Sequence, residues 1–327
     1  MMALARMACL GAGRMGRGIA HSAIWSGHEI VLVDVKQRTP EEFSIAKEAA
    51  LDEISGSIAM MMELGRYDQA TGSALIDRVK VVPRTEAVSA LTDAELVFEA
   101  VPERLDAKKD AFALFDECTS DTAILASTTS TMLSTELSEF TKAPERFLNA
   151  HWLNPAFLVP LVEVSPSDKT SDETLEKTKA MLEAIGKLPV VCKASPGYMV
   201  PRIQALAMNE AARLVEEGVA SAEDVDKAVK YGFGLRFAVL GLLEFIDWGG
   251  GDILYYASDY MSKAFKEDRF AAPNIVQENM KSNRIGLKSG SGFFDYDNVD
   301  LDAYRKKRLE AFLKMVDDAG FAQPPKL

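Results

Sequence analysis

The chain has 327 residues, 48% of them hydrophobic and 26% charged, which is enough for two globular domains with separate cores. Its 37 basic and 49 acidic residues leave a net charge of −12, which argues against nucleic acid or an anionic membrane as partner. Three scattered cysteines, Cys9, Cys118 and Cys192, with no CxxC pair, read as free thiols in a reducing cytoplasm. No apolar run approaches a membrane span, and Met1 to Leu10, without a signal-peptide layout, reads as a first strand.

In chain order, the strand Met7–Leu10 runs into Gly11-Ala12-Gly13-Arg14-Met15-Gly16 and a helix over Arg17–Ser26. A turn at Gly27-His28 leads to a second strand, Glu29 to Asp34, ending in an acid. Strand, glycine loop, helix, strand and terminal acid form the dinucleotide-binding fingerprint in its required context. Gly11 permits the tight turn, Gly13 lets backbone approach a pyrophosphate, and Gly16 lets helix and strand pack closely. Asp34 is placed to accept from the adenosine ribose hydroxyls and would repel a 2′-phosphate, which favours NAD over NADP.

Residues 40–78 read as one or two helices, and the methionines at 60–62 as packing filler. Strands follow at 79–83 and 94–101, a helix at 108–117, and a strand at 123–126 that opens into Ser127-Thr128-Thr129-Ser130-Thr131. Phe147 to Ala150 leads into His151, then come a strand at 158–164, a helix at 174–185 and a last strand at 189–192. This alternation predicts an α/β doubly wound sheet of Rossmann type. Beyond Ser195-Pro196-Gly197 the pattern is helical throughout, with segments at 202–217, 222–231, 240–245, 253–267, 275–283 and 303–319. The expected domains are therefore residues 1–193, binding NAD, and residues 194–327, an all-helical domain for substrate and dimerisation, with a disordered tail at 322–327.

The chemistry centres on His151, one of only three histidines, and on Glu163, a lone carboxylate inside an apolar run. An ionised acid among Leu161, Val162 and Val164 would be costly unless paired, so a partnership with an imidazolium is expected; the alternative is an outward-facing strand position. His21, on the first helix, and His28, in a turn, are not expected to be catalytic, and no metal site is expected.

Taken together, the chain resembles the L-3-hydroxyacyl-CoA dehydrogenase family, which includes 3-hydroxybutyryl-CoA dehydrogenase. The likeness rests on the Gly11 loop, Phe98-Glu99-Ala100-Val101-Pro102-Glu103, Ser127-Thr128-Thr129-Ser130 and Asn149 to Pro155. It continues through Ser195-Pro196-Gly197-Tyr198, Asn209-Glu210-Ala211 and Gly290-Ser291-Gly292-Phe293-Phe294. The resemblance implies an NAD-dependent dehydrogenase, homodimeric through its helical part, with His151 as general base, Glu163 orienting it and Ser130 hydrogen-bonding the reacting oxygen. Ser130 is also one hydroxyl among many in its loop, and Asn154 reads as shaping the turn and buttressing the histidine. Glu103 and Lys108 match positions near the nicotinamide ribose, or are a charged pair at a helix start; Arg14 and Met15 lie in the phosphate loop.

Two stretches depart from the acyl-CoA pattern. Pro201 stands where acyl-CoA members carry an asparagine that helps hold substrate, and it offers no side-chain hydrogen bond. Gly232 to Gly241 resembles instead the family branch acting on free carboxylates such as gulonate and carnitine, and His151-Trp152 followed by Asn154-Pro155 resembles the pyridine-carboxylate dehydrogenase. Within residues 232–241, Arg236 is placed to fork onto a carboxylate, or to serve as a surface or interface arginine. Residues 40–64 hold only Lys47 as a base amid six acids, poor in charge for a coenzyme A diphosphate. The expected substrate is a short-chain 3-hydroxyacyl-CoA by family default, with a free hydroxy carboxylate as alternative. A permissive ketone or imine reductase and a non-catalytic, crystallin-like NAD-binding protein are the readings of other kinds.

Overall fold

The computed structural model describes residues 6–321, so the expected strand start at residues 1–5 and the expected disordered tail at 322–327 lie outside the described residues. The chain divides into two compact units, Met1–Ala207 and Met208–Leu327.

The first unit is built on eight strands: β1 (Met7–Leu10), β2 (Ile30–Asp34), β3 (Val79–Pro83), β4 (Leu96–Glu99), β5 (Ile124–Ser127), β6 (Phe147–Trp152), β7 (Leu161–Pro166) and β8 (Leu188–Val191). They form one sheet in the order β3-β2-β1-β4-β5-β6-β7-β8. All neighbours pair in parallel except β6 and β7, which are antiparallel. The helices are α1 (Arg14–Trp25), α2 (Pro40–Glu63), α3 (Gln69–Ile76), α4 (Ala87–Leu91), α5 (Leu105–Cys118), α6 (Ser134–Leu137), α7 (Asp172–Ala184) and α8 (Val200–Glu216), the last running on into the second unit.

The central strands are buried along their whole length and read as continuous apolar runs, as expected of a sheet covered on both faces. Their side chains alternate between two cores. Cys9, Leu32, Phe98 and Trp152 pack with Ile19 and Ile24 of α1 on one face, and Leu10, Val33, Val97 and Phe147 pack with Phe112 and Phe115 of α5 on the other. α2 starts where a capping box forms between Thr39 and Glu42 with Pro40 in the first turn. The three cysteines are free, Cys9 and Cys118 buried and Cys192 half-buried.

The order reverses at β1, whose neighbours are β2 and β4, and a crevice opens at the carboxyl end of such a switch strand. The glycine loop lies there. The helix begins at Arg14, three residues earlier than the pattern predicts, with Gly13 as N-cap and no side chain capping it. Gly11 has φ +117°, and a Cβ there would sit 2.7 Å from the Ala100 carbonyl oxygen. A Cβ on Gly16 would sit 2.1 Å from the Gly11 oxygen.

The second unit is helical: α9 (Ala222–Ala228), a π-helical segment (Val229–Gly234), α10 (Leu235–Val239), α11 (Leu242–Gly249), α12 (Gly251–Phe265), α13 (Asn274–Lys281) and α14 (Leu301–Asp318). Its centre is Asp247, a buried carboxylate that accepts from the Phe293 and Phe294 amides at 3.0 and 2.9 Å and from the Tyr296 hydroxyl at 3.2 Å. A Cβ on Gly292 would lie 2.1 Å from Asp247 Oδ1, which explains the glycine before the two phenylalanines. No described helix is long and apolar enough to cross a membrane.

The loop makes two glycine substitutions separable. Gly16→Ala forces backbone apart and is expected to cost about 3 kcal/mol, a large overpacking penalty, read as a lower urea midpoint. Gly13→Ala meets nothing closer than 4.0 Å and is expected to unfold like the parent; a stability loss at residue 13 matching that at residue 16 would refute this account.

Candidate active site

The antiparallel register of β6 and β7 sets His151 directly opposite Glu163. Facing residues of such a pair project on the same side of the sheet, and His151 Nδ1 lies 2.8 Å from Glu163 Oε2. Glu163 is wholly buried, and its other oxygen accepts from the backbone N–H groups of Met199 and Val200 at 2.9 and 2.8 Å. A strand carboxylate thus caps the start of α8, which has free N–H groups to satisfy. A carboxylate can only accept, so it selects the Nδ1–H tautomer and leaves Nε2 with the lone pair. The outward-facing alternative for Glu163 is excluded by its burial.

The imidazole is also held from one face. The Tyr198 ring stacks on it with centroids 4.9 Å apart and planes 11° from parallel. Tyr198 has φ +45°, a conformation rare for a side-chain-bearing residue, and follows Gly197 at φ +76°. Its hydroxyl donates to the Thr129 carbonyl at 2.8 Å and accepts from Asn149 Nδ2 at 3.0 Å. One turn therefore supplies a ring to His151 and two amides to Glu163. The buttress expected of Asn154 is absent: Asn154 is exposed, begins a cis peptide bond to Pro155, and makes no side-chain hydrogen bond among those described.

The loop bearing Ser130 is tied down by Glu103. That carboxylate accepts from the Thr129 and Thr131 hydroxyls and from the backbone amides of Ser130 and Thr131, both at 3.1 Å. Burial pushes the Glu103 carboxyl up, but the bonds from Thr129 and Thr131 and the charge of Lys108 outweigh it and bring it down to about 2. Ser130 itself is exposed at the loop tip. Lys108 is 1% exposed, its ammonium 2.9 Å from Glu99 and 3.1 Å from Glu103. Glu99 is wholly buried and also accepts from Ser127 Oγ at 2.5 Å and the Val101 amide at 2.9 Å. Lys108 therefore anchors Glu103 and the loop from beneath.

The cofactor cradle has the features a dinucleotide needs. Gly11, Gly13, Asp34, Ala100 and Pro102 line one crevice of about 320 Å³. The uncapped α1 N-terminus opens at Gly13. Gly11 and Gly16 are required by neighbouring backbone, whereas no protein atom fills the space beside Gly13, which is where a pyrophosphate would approach. Asp34 ends β2 in the same crevice, its Oδ2 2.5 Å from Arg38 Nε and its Oδ1 3.3 Å from the Lys36 amide. Arg14 is exposed and Met15 partly buried in the first turn of α1.

Arg236 belongs to the second unit. It is exposed, donates from Nε to the Gly232 carbonyl at 2.8 Å, lies 5.0 Å over the Phe245 ring, and makes no ion pair among the described residues. Glu99, Ser127, Asn149 and Tyr198 were not anticipated as site residues. Glu99 carried a signal, a carboxylate closing an apolar strand as Glu163 interrupts one; the other three carried none. No group of three or more His, Cys, Asp or Glu suited to a metal occurs among the described residues.

A switch-point crevice with an uncapped glycine turn, an acid at the end of β2 and a buried imidazole–carboxylate pair define an NAD-dependent oxidoreductase. The family model for the NAD-binding domain of 3-hydroxyacyl-CoA dehydrogenase matches residues 6–195, and that for its C-terminal domain matches residues 197–296. The chain belongs to the 3-hydroxyacyl-CoA dehydrogenase family. It is 31% identical over 292 residues to a 3-hydroxybutyryl-CoA dehydrogenase of Clostridioides difficile, covering 89% of this chain and 99% of that one. It is also 31% identical over 316 residues to the 5-formyl-3-hydroxy-2-methylpyridine 4-carboxylate 5-dehydrogenase of Mesorhizobium japonicum, covering 95% and 98%. The crystal structure of a 3-hydroxyacyl-CoA dehydrogenase from Archaeoglobus fulgidus superimposes with a TM-score of 0.77 at 33% identity, covering 97% of this chain and all of that one, 100%.

Removing one partner of the buried Glu99–Lys108 pair leaves the other charge stranded. Lys108→Met is expected to lower unfolding free energy by about 3–5 kcal/mol in urea titration, and adding Glu99→Gln should recover part of that loss. A single variant as stable as the parent would show that the pair does not hold this edge.

Proposed function

We propose that the protein reversibly oxidises a secondary hydroxyl β to a carbonyl, converting an (S)-3-hydroxyacyl group to the 3-oxoacyl group, with 3-hydroxybutyryl-CoA or a similar short-chain thioester as substrate. The observation that carries this is the buried His151–Glu163 pair at 2.8 Å. His151 Nε2 takes the hydroxyl proton in one direction and returns it in the other, as a positioned imidazole base does. Glu163 fixes the ring and balances the imidazolium that forms; with three acceptor contacts it is satisfied whether or not the ring is charged. Ser130, at the tip of the loop pinned by Glu103, steadies the reacting oxygen. Bound NAD supplies the hydride acceptor. Gly11, Gly13, Gly16, Arg14, Met15 and Asp34 hold its adenosine and pyrophosphate, and Glu103, positioned by Lys108, its nicotinamide ribose.

A second reading is favoured by Pro201, Arg236 and the Mesorhizobium relative, namely a free hydroxy carboxylate as substrate. Pro201 is the second residue of α8, where a missing N–H costs no helical bond. It fits the helix and removes a polar substrate contact together. The exposed apolar side chains of the helical unit, among them Met208, Tyr256, Tyr260 and Leu313, suit burial in a homodimer.

His151→Ala should lower kcat by about 10²- to 10⁴-fold with NAD affinity retained, and Glu163→Gln should fall between it and the parent. Full turnover by the His151 variant ends the general-base role. Initial rates on 3-hydroxybutyryl-CoA against free 3-hydroxybutyrate, carnitine and gulonate separate the two substrate readings. If a free acid is the substrate, Arg236→Ala should raise its KM about 10-fold, the size of one charged hydrogen bond; equal KM values dismiss Arg236 as its ligand.

A further inference from the structure

Beside the crevice for NAD, the first unit has a second cavity, of about 220 Å³, between α1, α2 and the turn that follows His151. Arg14, Arg17 and His21 of α1, Ser57 of α2, and Asn154 and Phe157 of the turn line it. Its turn wall is fixed from behind. The Ala156 carbonyl accepts from Ser22 Oγ at 3.1 Å and from Lys187 Nζ at 2.6 Å, and Lys187 also reaches the Val159 carbonyl at 3.0 Å. A Cβ on Gly18 would come within 2.9 Å of the Ala156 methyl, so α1 and the turn pack as closely as glycine allows.

The cavity has more positive charge than its surroundings neutralise. Arg14 makes no ion pair among the described residues. Arg17 pairs with Glu53 through one nitrogen at 2.7 Å, while its Nε is buried without a partner. The Lys187 ammonium behind the wall is 7% exposed and held by two carbonyls, with no carboxylate. Glu53 is the one acid lining the cavity, in a chain whose net charge is −12. A buried guanidinium N–H left without an acceptor is costly unless a ligand or water supplies one.

His21 adds a second specification. Its Nδ1 lies 2.7 Å from Ser57 Oγ, and Ser57 spends its own proton on the Ile54 carbonyl at 2.8 Å. Ser57 must therefore accept, so the His21 proton is on Nδ1 and Nε2 carries the lone pair. Burial, reinforced by the Lys187 charge, holds the imidazole down to about 4, so the ring is neutral at physiological pH. His21 is 1% exposed, stacked on Phe157 with centroids 4.4 Å apart, and its Nε2 has no donor. The cavity thus presents an unpartnered guanidinium N–H of Arg17 together with a neutral acceptor that needs an O–H or N–H.

We propose that this cavity binds the anionic end of a hydroxylated substrate, with Arg17, which stands between this cavity and the NAD crevice, on the carboxylate or phosphate oxygens and His21 Nε2 accepting from a neighbouring hydroxyl. The inference rests on the reading of the chain as a hydroxy-compound dehydrogenase and adds where the distal charge of that compound is held. The site lies between the glycine-loop helix and the turn only three residues beyond His151, so a ligand anchored there belongs to the catalytic side of the unit. Polyhydroxylated carboxylates meet both requirements with one molecule; the phosphates of coenzyme A meet the first.

The test is calorimetric titration of the NAD-loaded protein with D-gluconate, with hexanoate as the carboxylate lacking hydroxyls, and with coenzyme A. Arg17→Met is expected to weaken whichever anion is bound by about 10- to 100-fold, the loss of a charge-assisted hydrogen bond. An Arg17-dependent signal for gluconate identifies a carboxylate ligand; the same signal confined to coenzyme A identifies a phosphate. For a carboxylate, His21→Phe, which keeps the stack on Phe157, should weaken gluconate several-fold and leave hexanoate unchanged. If Arg17→Met alters only NAD affinity, or no anion, in a variant with the parental unfolding midpoint, the proposal is overturned. Because binding is read without turnover, Arg17-dependent binding in a protein that oxidises no hydroxy compound would sink the dehydrogenase reading and leave the site standing.

Discussion

The pairing of His151 with Glu163 constrains everything around it. A carboxylate in a sheet interior costs several kcal/mol unless its oxygens are satisfied, and Glu163 is satisfied only by contributions from two places. The antiparallel turn of β7 brings it opposite His151, and the turn at Gly197 and Tyr198 delivers the Met199 and Val200 amides. The sole antiparallel pairing in the sheet and a left-handed tyrosine thus serve one buried charge. Reversing the direction of β7 would lose the histidine contact, and relaxing Tyr198 would take away its stack and the two amides together.

A row of polar residues extends this arrangement along the carboxyl edge of the sheet. Glu99, Ser127, Asn149 and Ser165 are register partners on four successive strands. Glu99 binds Ser127 and Lys108; Asn149 binds Tyr198 and the Met132 carbonyl at 2.9 Å. These bonds couple the Ser130 loop, held by Glu103, to the strand bearing His151. In a low-dielectric interior a hydrogen-bonded network of this kind confers rigidity, and its failure at one member exposes the rest. This side of the unit is stiff for that reason, and polar groups stay unpaired at the glycine loop, in the α1–α2 cavity, and at Asn149 Oδ1 and Trp152 Nε1 of β6.

Much was legible in residue order. The glycine loop, its flanking strands and Asp34 are local features, each with a mechanical requirement the structure repeats at Gly11 and Gly16. The change of hydrophobic period near Ser195 places the boundary at 193–194, whereas the compact units divide after Ala207, inside α8. Element edges shift by up to four residues, as at Gly13, where the helix starts three residues early, and at Gly249, where α11 runs four residues past its expected end; the start expected at residue 40 is met at the Thr39 cap. His151 and Glu163 stood out because a titratable group in an apolar run demands a partner. Glu99 meets the same criterion, but its partner Lys108 reads by resemblance as a nicotinamide-ribose position, or as a charged pair with Glu103, so nothing local joins it to Glu99. Nothing local marks Tyr198, Asn149 or Ser127 as site residues: their roles come from strand register and from one residue's backbone conformation.

By itself the amino-acid order determined the class of cofactor, the alternation of strands and helices, and the presence of a lone acid and an imidazole beside apolar runs, since each depends on chemistry within a few residues. Tertiary structure alone decided which groups meet. It reversed β7 so that residues twelve apart face each other, buried Lys108 between two carboxylates, moved support of the histidine from Asn154 to Tyr198, and gathered Arg17, His21 and Ser57 around one cavity. Those outcomes depend on register and packing across the whole sheet, where the cost of an unsatisfied buried charge selects one arrangement from many that the local pattern allows.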